Sequence, residues 1–498
     1  MTSILPLILF LTAGAACHNA RPVDTAPSST PLALFEPAPQ GSSDEALAAT
    51  RRLDQAIRTP EGQIAQLSVA EHMRRADTYN ANRAFAEARA HWESIIKHYP
   101  NDPNIPAVLF LMGRSYYQER RYDEALQFFD KLARDYAGTK EGREGFYFVA
   151  PTLLRLGRAA EAAARYRDYI ERFPQGERIE DAYLNVIDTL REAGRPDEAL
   201  TWIARTREKF AGTPTATNAL FARLRLDVAA SDWEQAVRTS DELRRLSLGR
   251  GVMTSDDEVA YLRAYSLERA GKTAEAVKAY LAIPDKAGSY YGSLATARLR
   301  AIGGAAGKAA AQSRAARVNA EIRKSASQYL APYRDLLLRY AAQWKVDPRF
   351  VLAIMMRESN FNPRAKSPVA ARGLLQLTMD TAQKYAPRLQ LKSLREEDLY
   401  QPEISLQIGS CYLGELTTMF PNAPEAVAAS YNGGEDNIVR WLRRAGHTDP
   451  GVFTAEVGFA ETKTYVTKVL ANYRAYCELY TADLRPRAAS REPMVEGK

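Results

Sequence analysis

Cysteine and histidine are scarce in this chain. Its 498 residues include five histidines and three cysteines, Cys17, Cys411 and Cys477. So few cysteines exclude a disulfide scaffold and a cysteine-rich zinc or iron–sulfur site. No two histidines stand at the spacing of metal ligands, so a histidine-based metalloenzyme is not expected either. We therefore predict a protein that binds no metal and needs no other cofactor.

Long hydrophobic runs are absent as well. After residue 17 no stretch approaches the roughly 18 apolar residues that a membrane-spanning helix needs. Residues 4–11 (ILPLILFL) are apolar, but this run is too short to span a bilayer. The small residues at 13–16 follow it and precede Cys17, an arrangement typical of secretory signals with a cleavage site. Residues 1–17 are predicted to be a signal peptide, although no lysine or arginine precedes the run.

Cys17 is a candidate lipid anchor. Its position directly after small residues resembles a bacterial lipoprotein signal, in which the cysteine is lipidated and becomes the mature N-terminus. Three residues before it stands Gly14 in place of the usual Leu. Two alternatives stay open, a periplasmic protein without an anchor and an outer-membrane lipoprotein. Residues 18–43 are rich in Pro, Ser, Thr and Ala, which predicts a flexible tether.

The net charge is mildly basic, at +7, and the isoelectric point is about 9.1. A basic excess suits an anionic partner, whether nucleic acid, a membrane surface or an acidic polymer. No helix-turn-helix, zinc or RNA-binding signature supports the first of these, so no nucleic acid is expected. The chain is 46% hydrophobic and 26% charged, as in ordinary globular proteins, and its length predicts about three domains.

A repeat of about 37 residues occupies the first half of the chain. An alanine follows Glu or Gln at six positions, with spacings of 37, 37, 37, 37 and 40 residues, at Ala88, Ala125, Ala162, Ala199, Ala236 and Ala276. Aromatic residues keep the same spacing at Tyr99, Tyr136, Phe173 and Phe210. Apolar residues between the markers have helical periodicity, and turns such as Gly157-Arg158 separate two helices per unit. The pattern predicts a helical solenoid over 61–285 that resembles the tetratricopeptide repeat family.

The remaining segments are assigned by composition. Residues 18–60 are predicted to be the tether and a first helix. Residues 286–325 are predicted to be a basic linker, because 298–324 holds seven Lys or Arg and one acidic residue. A linker helix and a loose connector both fit that composition. Residues 326–485 form a compact helical domain in this scheme, and 486–498 a polar tail.

One carboxyl in the compact domain is a candidate acid. A helix is predicted to begin at Asp347-Pro348, since Asp is a good N-cap and Pro is tolerated in the first turn. It ends before Pro363, which places Glu358 at the end of an apolar helix beside Phe361. A carboxyl held against apolar surface has a raised pKa and can donate a proton near neutral pH.

Four ordered motifs surround that residue. They begin at Glu358 (ESNF), Gly373 (GLLQ), Tyr431 (YNGG) and Glu461 (ETKTYV). This set resembles the family 1 lytic transglycosylases, and the resemblance covers roughly 329–480. Soluble members also carry a helical superhelix and a Tyr-Tyr-Gly-x-Leu-Ala stretch, similar to residues 290–295 here. The resemblance implies a mainly α fold class, in which the tetratricopeptide-like solenoid is followed by an α-rich, lysozyme-like (α+β) catalytic domain.

The resemblance also implies a reaction and its residues. In that family one Glu protonates the bond between N-acetylmuramic acid and N-acetylglucosamine, then takes the proton of the muramoyl C6 hydroxyl to close a 1,6-anhydro ring. By position Glu358 is that acid and base. Binding of peptidoglycan glycan strands is carried over to Ser359, Gln376, Tyr431, Asn432, Glu461 and Tyr465. The implied activity is that of a lyase in the cell envelope, and the repeats are candidates for recruiting protein partners.

The chain departs from the family pattern at several positions. Ala370-Ala371 stands where Gly-Ala is usual, and Leu375 where Met is usual. Ser405 replaces an Asn and Lys463 an Arg. None of these changes removes Glu358, but those at Ala370 and Ser405 concern the geometry of the cleft and its subsite preference.

Two further questions stay open from the sequence. The alternative function is an envelope scaffold, in which the repeats recruit partners and the C-terminal domain only binds glycan. Cys411 and Cys477 lie in predicted helices, and either a disulfide or two small buried side chains fits their positions. Cleavage from strand ends and cleavage within strands are equally compatible with the motifs.

Overall fold

The structure is a computed structural model that describes residues 43–59, 62–446 and 449–487. The predicted signal peptide, Cys17 and most of the tether lie outside the described residues. Residues 488–498 of the predicted polar tail lie outside them too. No helix within the described ranges is long and apolar enough to cross a membrane.

The described residues contain 23 α-helices. The first fifteen are α1 (Asp44–Ala56), α2 (Val69–Ala81), α3 (Phe85–His98), α4 (Ile105–Gln118), α5 (Tyr122–Asp135), α6 (Lys140–Arg155), α7 (Ala159–Arg172), α8 (Ile179–Glu192), α9 (Pro196–Lys209), α10 (Pro214–Ala229), α11 (Trp233–Leu243), α12 (Asp256–Arg269), α13 (Thr273–Ala282), α14 (Tyr290–Ile302) and α15 (Gly304–Lys324). The other eight are α16 (Arg334–Trp344), α17 (Pro348–Ser359), α18 (Met379–Tyr385), α19 (Pro402–Met419), α20 (Pro424–Gly433), α21 (Glu435–Ala445), α22 (Pro450–Glu456) and α23 (Ala460–Leu479).

The predicted α class is confirmed. β-Structure in the described ranges is limited to three isolated bridges, Lys366 with Arg372, Arg372 with Leu377, and Tyr480 with Pro486. Short 3₁₀ turns lie at Ala326–Gln328, Pro387–Leu389 and Glu396–Tyr400.

Helices α2 to α13 form the predicted solenoid, with consecutive helices packed against each other. All six marker alanines are fully buried, at 0% exposure, which allows neighbouring helices to approach closely. The aromatic markers Tyr99, Tyr136, Phe173 and Phe210 are the C-cap residues of α3, α5, α7 and α9. Each backbone N–H closes the last helical turn, while the half-buried ring packs at the end of its unit. Both markers are therefore packing residues of the repeat.

The basic segment is helical. Helices α14 and α15 occupy 290–302 and 304–324, so the helical alternative describes it and the loose connector does not. Tyr290 and Tyr291 at its start are buried between the two halves of the chain. The Tyr290 hydroxyl lies 3.0 Å from Thr454 Oγ1 in α22, and Tyr291 donates to Glu258 of α12 at 2.8 Å. This segment joins the solenoid firmly to the domain that follows it.

The solenoid and the C-terminal helices share buried surface. One core belongs to residues 318–484 and a second to α1–α10. A third core combines α10–α15 with Ala445, Val452 and Ala455 from the C-terminal part. At Gly451 an added Cβ would lie 2.3 Å from the Tyr261 ring, so the backbone there approaches the solenoid as closely as only glycine permits.

Candidate active site

Helix α17 positions the candidate acid as predicted. Asp347 is its N-cap and accepts a hydrogen bond from the Arg349 backbone at 2.9 Å, and Pro348 follows in the first turn. The helix ends at Ser359, because Asn360 adopts a left-handed conformation with φ of 48°. Its middle residues are fully buried, so the helix is fixed along its length and Glu358 is held in the last turn.

The Glu358 carboxyl is largely shielded from water, but part of the side chain reaches the surface. Its side chain is only partly exposed, and Tyr465 in α23 donates a hydrogen bond to Oε1 at 2.6 Å. Burial raises the pKa of Glu358 to about 7, and the negative charge of Glu461 acts in the same direction. The Tyr465 hydrogen bond and the Arg357 charge oppose that shift because both stabilise the carboxylate. At neutral pH both protonation states of Glu358 are populated.

A second carboxyl shares this environment. Burial also raises the pKa of Glu461 to about 7, with Arg357 acting against the shift. Glu461 Oε1 and Arg357 Nε are buried and have no hydrogen-bond partner among the described residues. One guanidinium thus serves two carboxyls electrostatically. Arg357 was not predicted from the sequence as a site residue. Its position next to Glu358, in a helix with a buried face, could have indicated that it lies at the site.

The loop at 365–377 forms one side of the site. Gln376 has a left-handed backbone and its amide nitrogen donates to the carbonyls of Ala365 and Gly373, at 3.1 and 3.0 Å. Ser359 donates to the Leu374 carbonyl at 2.8 Å. The donors of these two predicted glycan-binding residues are therefore engaged with the backbone, and their oxygen atoms are the groups left to accept from a ligand.

Helices α20 and α23 supply the opposite side. Tyr431 donates to the Leu375 carbonyl at 2.7 Å and stacks on Tyr412, with ring centres 5.2 Å apart. The side-chain oxygen Oδ1 of Asn432 accepts a hydrogen bond from the Thr462 hydroxyl at 2.6 Å. The structure thus brings all seven predicted site residues into one region, from three helices and one loop that are separated by more than 100 residues of sequence.

Two departures from the family pattern have visible consequences in this loop. Ala370 takes φ of 60°, a left-handed conformation that favours glycine, which is the residue expected there by resemblance. The buried hydroxyl of Ser405 accepts a hydrogen bond from the Leu375 backbone at 3.3 Å. The hydrogen bond to Ser405 therefore supports the loop, whereas the left-handed backbone at Ala370 strains it.

A cavity of about 780 Å³ lies between the solenoid and the C-terminal domain. Gln376, Tyr431 and Asn432 contribute to its wall, whereas Glu358, Ser359, Glu461 and Tyr465 do not. The solenoid wall is aromatic and carries charges of both signs, with Tyr117, Tyr147, Phe148 and Tyr166 beside Arg114, Arg155, Glu180 and Asp181. The cavity therefore meets the site at three glycan-binding candidates and extends from there across the solenoid.

Many ion pairs close the interface around this cavity. Arg83 pairs with Asp380 at 2.9 Å and Arg120 with Glu435 at 2.9 Å near its margin. Deeper in the interface, Glu456 is 2% exposed and is surrounded by three arginines, Arg191, Arg225 and Arg444. Lys463, at the position where the family usually has Arg, pairs with the buried Glu258 of the solenoid at 3.0 Å.

The remaining candidates concern metal and disulfide chemistry. In the ranges the structure describes, no three His, Cys, Asp or Glu side chains come together as a metal site. Cys411 and Cys477 are free thiols, the first buried and the second half-buried, so they form no disulfide with each other. Burial raises the pKa of the Cys411 thiol to about 11, which keeps it unreactive at neutral pH.

Comparisons with known proteins agree with the motifs. The family described as Transglycosylase SLT domain matches residues 335–453, and the Tetratricopeptide repeat family matches 73–138 and 150–214. The chain is 36% identical over 146 residues to the soluble lytic murein transglycosylase of Salmonella typhimurium, a match that covers 29% of this chain and 22% of that protein. For the Escherichia coli K12 protein of that name the identity is 34%, covering 30% and 24%.

A membrane-bound relative and two solved structures are also similar. Membrane-bound lytic murein transglycosylase C of Yersinia pestis is 32% identical, covering 29% of this chain and 47% of that protein. The 70 kDa soluble lytic transglycosylase of Escherichia coli aligns over 89% of both chains with a TM-score of 0.47 and 17% identity. An inactive mutant of the lytic transglycosylase Slt of Pseudomonas aeruginosa aligns with a TM-score of 0.47 and 18% identity, over 88% of this chain and 79% of that one.

The sequence matches thus span a quarter or less of the two soluble relatives and about half of the membrane-bound one. The range matched by the SLT family, 335–453, contains Glu358. Residues 335–453 therefore carry a transglycosylase SLT domain, which follows a solenoid of tetratricopeptide repeats.

Proposed function

We propose that the chain is a peptidoglycan lytic transglycosylase with Glu358 as its acid and base. The observation that carries this proposal is the desolvated Glu358 carboxyl, whose pKa lies near 7 and which Tyr465 orients at 2.6 Å. Such a group gives up and takes back a proton at neutral pH with little cost in either direction. The SLT domain match over 335–453 and the two soluble relatives support the choice of murein as substrate.

The reaction needs one proton to travel out and one to return. Protonated Glu358 donates to the glycosidic oxygen between N-acetylmuramic acid and N-acetylglucosamine as the C1–O bond breaks. The resulting carboxylate then takes the proton of the muramoyl C6 hydroxyl, whose oxygen bonds to C1 and closes the 1,6-anhydro ring. No water is consumed, and Glu358 ends the cycle protonated.

Glu461 has a supporting role in this proposal. Glycoside hydrolysis with retention needs an ionised second carboxylate as nucleophile. Burial raises the pKa of Glu461 to about 7 as well, so this carboxyl is protonated in a large share of the molecules at neutral pH and is not a ready nucleophile. Its proximity to Arg357 and Asn432 favours holding the cleft and the glycan. A single reacting carboxyl therefore fits the electrostatics better than a pair.

Glycan strands are proposed to occupy the cavity as well as the cleft. Sugars have flat apolar faces and many hydroxyls, which suit tyrosine rings and amide side chains. The aromatic solenoid wall faces such residues across the 780 Å³ cavity, and Arg114 there makes no hydrogen bond or ion pair to described residues. The substrate lies in the periplasm, so we place the protein there, with Cys17 as its lipid anchor at the outer membrane.

Product analysis tests the proposed reaction directly. Purified sacculi are digested with the full chain and the released fragments are weighed by mass spectrometry. We expect 1,6-anhydromuramoyl ends, each lighter by one water than a reducing end. Reducing ends would make the protein a hydrolase and contradict the mechanism. Retention on sacculi without any released product would instead favour the scaffold that only binds glycan.

A single substitution tests the residue assignment. Glu358→Gln keeps the size of the side chain and removes its acidity, so turnover should fall by roughly 10²- to 10⁴-fold. Glu397→Gln is the matched control, because Glu397 is an exposed carboxylate of the same domain that pairs only with Arg395. Full turnover in the Glu358 variant would disprove its role as acid and base.

A further inference from the structure

We propose that Asp44, the first residue of α1, is a positioning residue for the catalytic site. Its carboxylate fixes the loop at 365–377, and through that loop the contacts of Ser359, Gln376 and Tyr431. The inference rests on the proposed function, because that function makes the loop a glycan-binding element. Neither the four motifs nor the matched families include residue 44, which lies nearly 300 residues before the SLT domain.

Asp44 receives three side chains from the C-terminal domain. Arg372 Nη2 donates to Oδ1 at 2.6 Å and Lys366 Nζ donates to the same oxygen at 2.7 Å. The Tyr400 hydroxyl donates to Oδ2 at 2.7 Å. Together these three donors hold the pKa of Asp44 well below its usual range, so the group is ionised at every pH of interest.

Among the partners of Asp44, Arg372 depends most on that carboxylate. Its side chain is 0% exposed, and Asp44 is the one carboxylate that pairs with it among the described residues. Its other hydrogen bonds go to the Ala370 carbonyl at 2.6 Å and to the Asn82 amide oxygen at 3.5 Å. A buried guanidinium that loses its carboxylate is strongly destabilised, so the segment that carries it must rearrange.

The segment that carries Arg372 is the loop of the site. Arg372 and Leu377 exchange backbone hydrogen bonds of 2.9 and 3.0 Å, which close a small turn around Gly373 to Gln376. The Leu374 carbonyl accepts from Ser359, and the Leu375 carbonyl accepts from Tyr431. Movement of Arg372 therefore moves the acceptors next to Glu358 together with Gln376.

Helix α1 is itself fixed on the solenoid. Near its end, Asp54 accepts from Arg75 and Tyr79, each at 2.5 Å, and lies 3.0 Å from His91 Nε2. Leu47 in the same helix is buried in the solenoid core. The carboxylate of Asp44 is thus presented from a rigid support, and the solenoid sets the position of the catalytic loop through a helix only 13 residues long.

Amide hydrogen exchange reports how firmly the loop at 365–377 is held, and it can be measured whether or not the protein is enzymatically active. In Asp44→Asn we expect amide exchange in 365–377 to rise by about tenfold or more, since a buried charge loses its partner. Asp44→Glu should restore most of the protection because it retains the carboxylate. Arg51→Gln is the matched control. Arg51 also lies on α1 and pairs with the C-terminal domain, through Glu396 at 3.0 Å, but makes no contact to the loop.

Glycan binding connects the loop to the site. Binding is measured in the Glu358→Gln variant, where adding Asp44→Asn should lower the affinity for isolated glycan strands by about tenfold. Turnover is measured in the chain that retains Glu358, where Asp44→Asn should lower kcat/KM by at least as much. Arg51→Gln should change neither quantity. If the wild-type chain releases no anhydro product, the proposed function fails while the exchange and binding measurements still test the positioning role.

Three results would overturn the proposal. Unchanged exchange of 365–377 in Asp44→Asn would show that the carboxylate does not hold the loop. Faster exchange over all helices would reveal a general loss of stability instead of a local effect. Faster exchange of the loop with unchanged glycan affinity and turnover would show that loop position does not matter to the site.

Discussion

At the scale of single residues, burial raises the pKa of Glu358 and the hydrogen bond from Tyr465 lowers it. Glu358 must be protonated to act first as an acid, so activity is expected below its pKa of about 7 and is lost as the pH rises through it. The Tyr465 hydroxyl stabilises the carboxylate and so lowers the pKa. Tyr465→Phe should therefore move the alkaline limb of the kcat/KM profile upward, by about one pH unit.

A tyrosine on the same helix supplies the control. Tyr473 also donates to a carboxylate, that of Asp347 at 2.9 Å, but it does so at the opposite end of α17. Tyr473→Phe should leave the alkaline limb where it is. A downward movement of the limb in Tyr465→Phe would contradict the assignment of that limb to Glu358.

Ala370 is a residue where the sequence works against the local backbone. Its left-handed conformation costs a residue with a Cβ atom about 1 kcal/mol or more relative to glycine. Ala370→Gly should thus raise the free energy of unfolding by roughly 1 kcal/mol, measured by denaturant titration. Ala371→Gly is the matched control and should lower it, since Ala371 is equally buried and has no positive φ.

Motif positions indicate which residues come together at the candidate site. They include Glu358 and Tyr465, whose side chains lie 2.6 Å apart, while the roles of both residues remain proposals. Ser359 lies in a motif as well, but its donated bond to the Leu374 carbonyl depends on a loop whose shape the sequence does not state. Arg357 lies in none of the four motifs, and its electrostatic role depends on the fold bringing Glu461 beside it.

At the scale of elements, the turn inside each repeat keeps the same left-handed backbone conformation although its residue type varies. Residues with positive φ recur at the spacing of the markers, at Arg83, Arg120, Gly157, Gly194, Ser231 and Gly271. Only the glycines among them were readable as turns, because a left-handed arginine carries no sequence signal. The two arginines are also the residues that reach Asp380 and Glu435, so the first two turns contact the C-terminal domain.

The marker alanines allow a direct test of the solenoid packing. Ala162 in α7 is fully buried, so Ala162→Leu inserts three carbon atoms where no space exists. We expect the free energy of unfolding to drop by about 1–3 kcal/mol. Ala160→Leu on the exposed face of the same helix should have almost no effect. Equal effects of the two substitutions would contradict the close helix approach at the marker.

At the scale of the whole molecule, buried charge joins the two halves. Glu456 lies within 2.5 Å of Arg191, 3.5 Å of Arg225 and 3.4 Å of Arg444. Glu456→Gln leaves three buried guanidinium groups with too little negative charge, which should cost about 3–5 kcal/mol of unfolding free energy. Denaturant titration measures this change.

A partly exposed ion pair across the same interface is the control. Arg120 is about half exposed where it pairs with Glu435, so solvent weakens this pair relative to the buried cluster around Glu456. Glu435→Gln should therefore change stability far less than Glu456→Gln. Comparable losses would indicate that exposure does not govern the strength of these contacts.

The architecture of each half could be predicted from sequence, but their association could not. Repeat spacing and helical periodicity are local signals, and they indicated the solenoid correctly. The pairing of Lys463 with Glu258, or of Arg191 with Glu456, joins residues more than 200 positions apart, and no spacing rule relates them. The cavity wall formed by α4 and α6 was unpredictable for the same reason.

The pairing of Asp44 with Arg372 has a consequence for the order in which the protein is made. The two residues are 328 positions apart, and a chain emerges from the ribosome with its N-terminal part first. The residues of helix α1 and of the solenoid are synthesised well before those of the loop. The cleft therefore cannot be finished until nearly all of the helices have been translated, because the loop at 365–377 needs a carboxylate from the start of the chain.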